Sequence, residues 1–226
     1  MCFSATASFT VAAATGAVGI ASLKLVGQRN EIPLAFVPIL FAGQQAIEGT
    51  LWLMLPGDGV DNATIGALSV AFLIVAEVIW PLFIPIAVLL IEPEPRRRLA
   101  LKTIVVLGIV VSIDLFQALL NNLPIAIIQG HSIRYPGYIE HLSWQQSLYL
   151  LCTCASLLLS SHRMIQAIGV IIVIGLAVSA YAYYATLVSV WCFFAAADST
   201  LLYFHFKRMG AIAQARAERL GPMSPR

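Results

Sequence analysis

The chain has 226 residues, of which 60% are hydrophobic and only 11% charged. A soluble domain carries about 25% charged residues, so this chain cannot cover a water-facing surface, and a polytopic membrane protein follows. The net charge of +2 leaves no electrostatic footprint for nucleic acid.

The lead MCFSATASF carries no Lys or Arg. A secretory signal peptide opens with a basic region, so the first apolar segment is expected to stay in the membrane. A lipoprotein cysteine follows an apolar segment, whereas Cys2 precedes one. A spanning helix needs about 20 apolar residues. Seven such spans are predicted, near 9–27, 32–55, 65–91, 99–120, 142–159, 164–187 and 188–206. The last two are nearly continuous, and fusing them leaves six. A turn near Thr186–Ser189 separates them, because one helix of their joint length would be about twice the bilayer thickness. The expected fold is therefore an all-α, seven-helix transmembrane bundle over 1–206. A lid loop covers 121–141, and 207–226 form a basic tail, either an interfacial helix on anionic lipid or a solvated end.

Charge orients the bundle. Lys24 and Arg29, then Arg96–Arg98 and Lys102, then Arg163, then the tail from Lys207 onward all fall on one side. Arg134 is the single Lys or Arg on the other. The positive-inside rule puts the amino terminus outside and the carboxyl terminus in the cytoplasm.

An ionisable side chain inside a span is costly and marks a functional site by default. Four acids lie within spans: Glu48, Glu77, Asp114 and Asp198. No Lys or Arg lies at depth to pair with them. Gln45, Glu48 and Trp52 share a face of the second helix, with Gln44 beside them. Asp114 and Gln117 share a face of the fourth. Trp144 and Trp191 enter from the outer side near the loop histidines His131 and His141. These residues are expected to line an outward-facing polar cavity. Glu77 lies deeper, before Trp80–Pro81, where proline frees carbonyls and a kink is expected. Asp198 has small neighbours, and is either a packed, hydrogen-bonded group or a relay acid. Cys2 and Cys192 both face the outer side; a disulfide, shared metal ligation and a free thiol are all open to them. Cys152 and Cys154 point to different sides of one helix and read as small buried hydrophobes. Glu48 has a bland alternative, a neutral acid bonded to Gln44 or Gln45.

No span carries the histidines of a haem site, the mid-helix lysine of a retinal protein, or an H-E-x-x-H or G-x-S-x-G motif. No phosphate or dinucleotide loop is present. The segments MCFSATASF, QQAIEGTLW, GHSIRY, LLSS and SVWCFF together resemble a group of uncharacterised bacterial membrane proteins whose chains open with MCFSA followed by ASF. The likeness runs from Met1 to about Ala197. It implies a bacterial inner-membrane location and places Cys2, Gln44, Gln45, Glu48, His131 and Cys192 in recurring segments; it implies no activity. Asp114 and Asp198 fall outside those segments.

The leading expectation is a metal site of Cys2, His131, Cys192 and Glu48, taking Zn2+ or another transition metal. Glu48 would be the fourth ligand, or the catalytic base beside a metal-bound water acting on a small substrate. The alternatives are a small-cation or proton transporter that uses the four acids, and a membrane sensor or scaffold.

Overall fold

A computed structural model describes residues 4–57, 61–136 and 143–220, with side chains through Ile212. The expectations for Cys2 and His141 lie outside the described residues. The chain is all-α apart from one short hairpin, with seven helices among the described residues.

Helix α1, Ala5–Lys24, starts where the Ser4 hydroxyl accepts from the Ala7 N–H at 3.2 Å, a side-chain cap for an orphan donor. Its buried stripe is small and polar: Ser8, Thr15, Gly19 and Ser22. Small residues let helix backbones approach closely in lipid. At Gly19 a Cβ would stand 3.1 Å from the Ile39 nitrogen, so α1 packs tightly along α2, Ile32–Met54. Helix α2 occupies the centre, with Leu34, Ala35, Phe41, Gln44, Gln45, Glu48 and Leu51 all buried.

Helix α3, Asn62–Ile91, widens into a π turn at Ile74–Ile79 just before Trp80–Pro81. Pro81 has no N–H and its ring crowds the carbonyl four residues back, so the regular ladder cannot continue. The Tyr149 hydroxyl donates to the Ala76 carbonyl at 2.8 Å within that turn. The kink expected from the prolines is thus realised as a widened turn closed by a side chain from another helix. Helix α4, Pro95–Asn121, crosses α3 where a Cβ on Gly108 would collide with the Pro81 carbonyl. Only glycine permits that approach.

The segment after α4 holds strands β1, Ile127–Gln129, and β2, Ser132–Arg134, paired antiparallel. Gly130, at φ +62, takes the first position of the two-residue turn, a conformation that favours glycine. The Ser69 hydroxyl of α3 accepts from the Ala126 N–H at 3.0 Å. Tyr135 stacks on Phe72 with centroids 5.0 Å apart. The hairpin is thereby fastened over one end of the bundle.

Helix α5 covers 144–159 with its own π turn at Leu151–Ala155. Helix α6 is Arg163–Ala182. After a 3-10 turn at Tyr184–Thr186, helix α7 runs Leu187–Ser199 and resumes as Leu201–Leu220. The break between the last two spans therefore centres a few residues before the Thr186–Ser189 turn expected from sequence. Six of the seven helices are long and apolar enough to cross a membrane. The exception is α5, which at about 1.5 Å per residue reaches about 24 Å.

Candidate functional site

The polar residues of α2 meet at one end of the bundle, beneath the hairpin. Glu48 is 0% exposed, as are Gln44 and Gln45. Gln45 Nε2 donates to Glu48 Oε2 at 3.3 Å. The Ser189 hydroxyl of α7 stands beside the same carboxyl. Gln44 turns the other way and its Oε1 accepts from the Trp80 indole N–H at 3.0 Å, while the indole stacks on Phe41 at 4.2 Å. Of the two glutamines considered as partners for Glu48, Gln45 bonds the carboxyl and Gln44 serves an indole on α3.

Tyr135 connects this group to the lid. Burial, then the nearby Glu48 carboxyl, then the Cys192 thiol hold its phenol well above the ordinary tyrosine value. Glu48, Tyr135 and Cys192 therefore form one neighbourhood, built from α2, the lid and α7. Helix α1 closes it from the side: the Phe9 ring lies 3.0 Å from where a Cβ on Gly49 would be, and Ser8 is fully buried. Several polar atoms here have no hydrogen bond among the described residues: Glu48 Oε1, Gln45 Oε1, Gln44 Nε2, the Tyr135 hydroxyl and, one turn beyond Glu48, Trp52 Nε1. Buried polar atoms are nearly always satisfied, so a concentration of unsatisfied ones points to something that sits among them.

The other sequence-predicted residues are dispersed. His131 is exposed in an open cleft of about 940 Å3, shared with Ser4, Gln129 and Tyr181–Thr186. It sits exposed in the two-residue turn, beside the buried Ser132, Ile133 and Tyr135. Among the described residues no three His, Cys, Asp or Glu side chains form a metal-type group, so His131 does not join Glu48 and Cys192. Asp114 is half-buried and Gln117 exposed. The packed stripe of α4 is Ile104, Gly108, Val111, Leu115 and Leu119, and these two polar residues fall off it. Trp144, 56% exposed, also lies outside the cavity, as an aromatic at a membrane interface commonly does. Trp191 is buried deeper, its N–H donating to the Ile172 carbonyl at 3.3 Å. Asp198 is half-buried on α7. Glu77, 4% exposed, has no hydrogen-bond partner for its carboxyl among the described residues and lines a small chamber of its own.

A third buried acid, unremarked in the sequence, sits at the opposite end from Glu48. Glu92, 1% exposed, follows α3. It accepts from the Ser161 N–H at 2.7 Å, from the Ser161 hydroxyl, and from the Glu94 N–H at 3.0 Å. Burial pushes its carboxyl up; the Ser161 and Glu94 hydrogen bonds and the Arg97 guanidinium outweigh that and hold it below the ordinary value. Arg97 also donates to the carbonyls of Leu159 and Ser160, at 3.0 and 2.7 Å. His162 contacts the Ile91 carbonyl at 3.2 Å and packs edge-on against His205 of α7.

A model for a family of unknown function, DUF6629, matches residues 1–217. The chain belongs to that family. The match takes in the Glu48 neighbourhood, the lid and the Glu92 clamp together. No curated protein and no solved structure matches the chain.

Proposed function

We propose that this is a bacterial inner-membrane protein with seven spans, its chain start outside and its end in the cytoplasm, and that the Glu48 neighbourhood binds a small cation of the transition-metal class. The observation that carries the reading is Glu48 itself: a fully buried acid with one oxygen unbonded and a thiol residue, Cys192, sharing its Tyr135 neighbour. A carboxylate at such depth needs a cationic partner or a proton. A carboxylate and a thiolate are two of the ligand types Zn2+ accepts, and a softer ion suits the thiol equally. The orientation is supported by Lys24, Arg29, Arg96–Arg98, Arg163 and Lys207, which flank the Glu92 end, whereas the lid lies at the other. Cys2 remains the candidate third ligand on sequence grounds. His131, at the mouth of the cleft, is reassigned from ligand to entrance.

The test is elemental analysis of the full chain purified without chelator. Close to one transition-metal ion per chain is expected, falling at least tenfold in Glu48→Gln and in Cys192→Ser, and unchanged in His131→Ala. Metal-free wild-type protein, or full content in both Glu48→Gln and Cys192→Ser, overturns the proposal.

A further inference from the structure

The Glu77 chamber is a separate feature. It is enclosed by α3, α5, α6 and α7, with Glu77, Gln146, Tyr149, Tyr184, Val188 and Trp191 on its walls. Its single carboxyl is 4% exposed and receives no hydrogen bond among the described residues. The polar ends of two of its rings are engaged elsewhere, Tyr149 on the Ala76 carbonyl and Trp191 on the Ile172 carbonyl. The two rings meet edge to face at 5.8 Å. What they offer the chamber is aromatic surface.

A carboxylate among aromatic rings recognises alkylammonium ions. The charge pairs with the carboxylate, and the ring quadrupoles favour a weakly hydrated cation over a strongly hydrated metal. Size narrows the class further. The chamber is small, about 40 Å3, which suits a compact cationic head rather than a long chain. The unbonded carboxyl narrows it again: the N–H groups of a primary ammonium donate to it, whereas a quaternary ammonium has none to give. The chamber has a way in. Tyr184, 51% exposed, lines the chamber, the open cleft that holds His131, and a small cavity against Tyr135 that lies between them. Val188 is shared by the chamber and that small cavity. The break between α6 and α7 thus borders all three spaces.

We propose that the Glu77 chamber binds the head of a primary alkylammonium ion, admitted from the lid cleft past Tyr184. The site is independent of the metal proposed at Glu48, so either can fail alone. The test uses the full-length protein in lipid nanodiscs at constant sodium chloride. Tryptophan fluorescence is titrated with methylammonium chloride, with tetramethylammonium chloride in parallel. A saturable change with methylammonium and none with tetramethylammonium is expected. Glu77→Gln should weaken the response at least tenfold, and Trp191→Phe should remove most of the signal. Tyr184→Ala, which leaves the chamber's carboxyl in place, should speed the approach to equilibrium. Should Glu77→Gln fail to fold, Glu77→Asp, with a retracted carboxyl, must weaken binding instead. No saturable methylammonium response in the wild type, equal responses to both ions, or an unchanged response in the Glu77 variant that folds would overturn the proposal.

Discussion

Two buried carboxyls at opposite ends of the same bundle differ in how completely they are served. Glu92 is surrounded by donors: the Ser161 N–H and hydroxyl, the Glu94 N–H, and Arg97 nearby. Glu48 receives one long hydrogen bond from Gln45 and has Ser189 beside it, yet keeps an unbonded oxygen among other unbonded polar atoms. A saturated acid ties elements together, in this case the α3–α4 and α5–α6 turns. An undersupplied one costs stability unless something else occupies the site. Burial alone does not separate a clamp from a binding site; the tally of unmet donors and acceptors does.

Four substitutions press on that contrast. The largest effect is expected at the clamp: Glu92→Ala strips three accepted hydrogen bonds from their donors and should lower stability by on the order of 3 kcal/mol, read as a fall in thermal or denaturant midpoint. Because the Glu92 carboxyl lies below its ordinary value in the fold, its contribution is complete above about pH 4.3, the unfolded carboxyl value. It is lost as the pH drops through the folded value. The wild type should therefore lose midpoint steeply in acid, and Glu92→Ala should show a flatter profile.

Trp80→Phe comes next. It keeps the stacking on Phe41 but leaves Gln44 Oε1 without its donor, for an expected loss of about 2 kcal/mol. Glu48→Gln should alter the metal-free midpoint by less than about 1 kcal/mol, since the carboxyl gains little from its surroundings; a loss as large as that of Glu92→Ala would erase the contrast. The smallest change is spectroscopic. Tyr135 should ionise well after the exposed tyrosines in an alkaline titration followed by ultraviolet absorbance. Glu48→Gln should bring that late step earlier, and Tyr135→Phe should remove it.

The bundle was legible from sequence because hydropathy sums over about 20 residues and tolerates local error. Helix α5 shows the margin, its 144–159 stretch being too short to count with the other six. Glu48, Gln44 and Gln45 could be found because polar residues inside an apolar helix stand out. Tyr135 and Ser189 could not, since a loop tyrosine and a helical serine look ordinary until folding places them by a carboxyl. Helical spacing grouped Asp114 with Gln117 but gave no information on which face of α4 packs inward. Small residues decided that, with Gly108 against Pro81. Glu92 hid in the EPEP turn, where an acid reads as solvated, although its partner Ser161 lies in the LLSS segment that the family likeness had already marked. His131 was drawn toward the metal site by its residue type, whereas a hairpin tip carries it to the open cleft.

X-ray absorption spectroscopy on the zinc-loaded, full-length protein bears most directly on the claim that Glu48 and Cys192 share a cation. The expected spectrum contains a sulfur shell at about 2.3 Å together with oxygen or nitrogen ligands near 2.0 Å. The sulfur amplitude should drop in Cys192→Ser and the oxygen shell should change in Glu48→Gln. A spectrum of oxygen and nitrogen alone, unaltered by either substitution, would show that zinc binds elsewhere and that the unmet polar atoms around Glu48 serve another purpose.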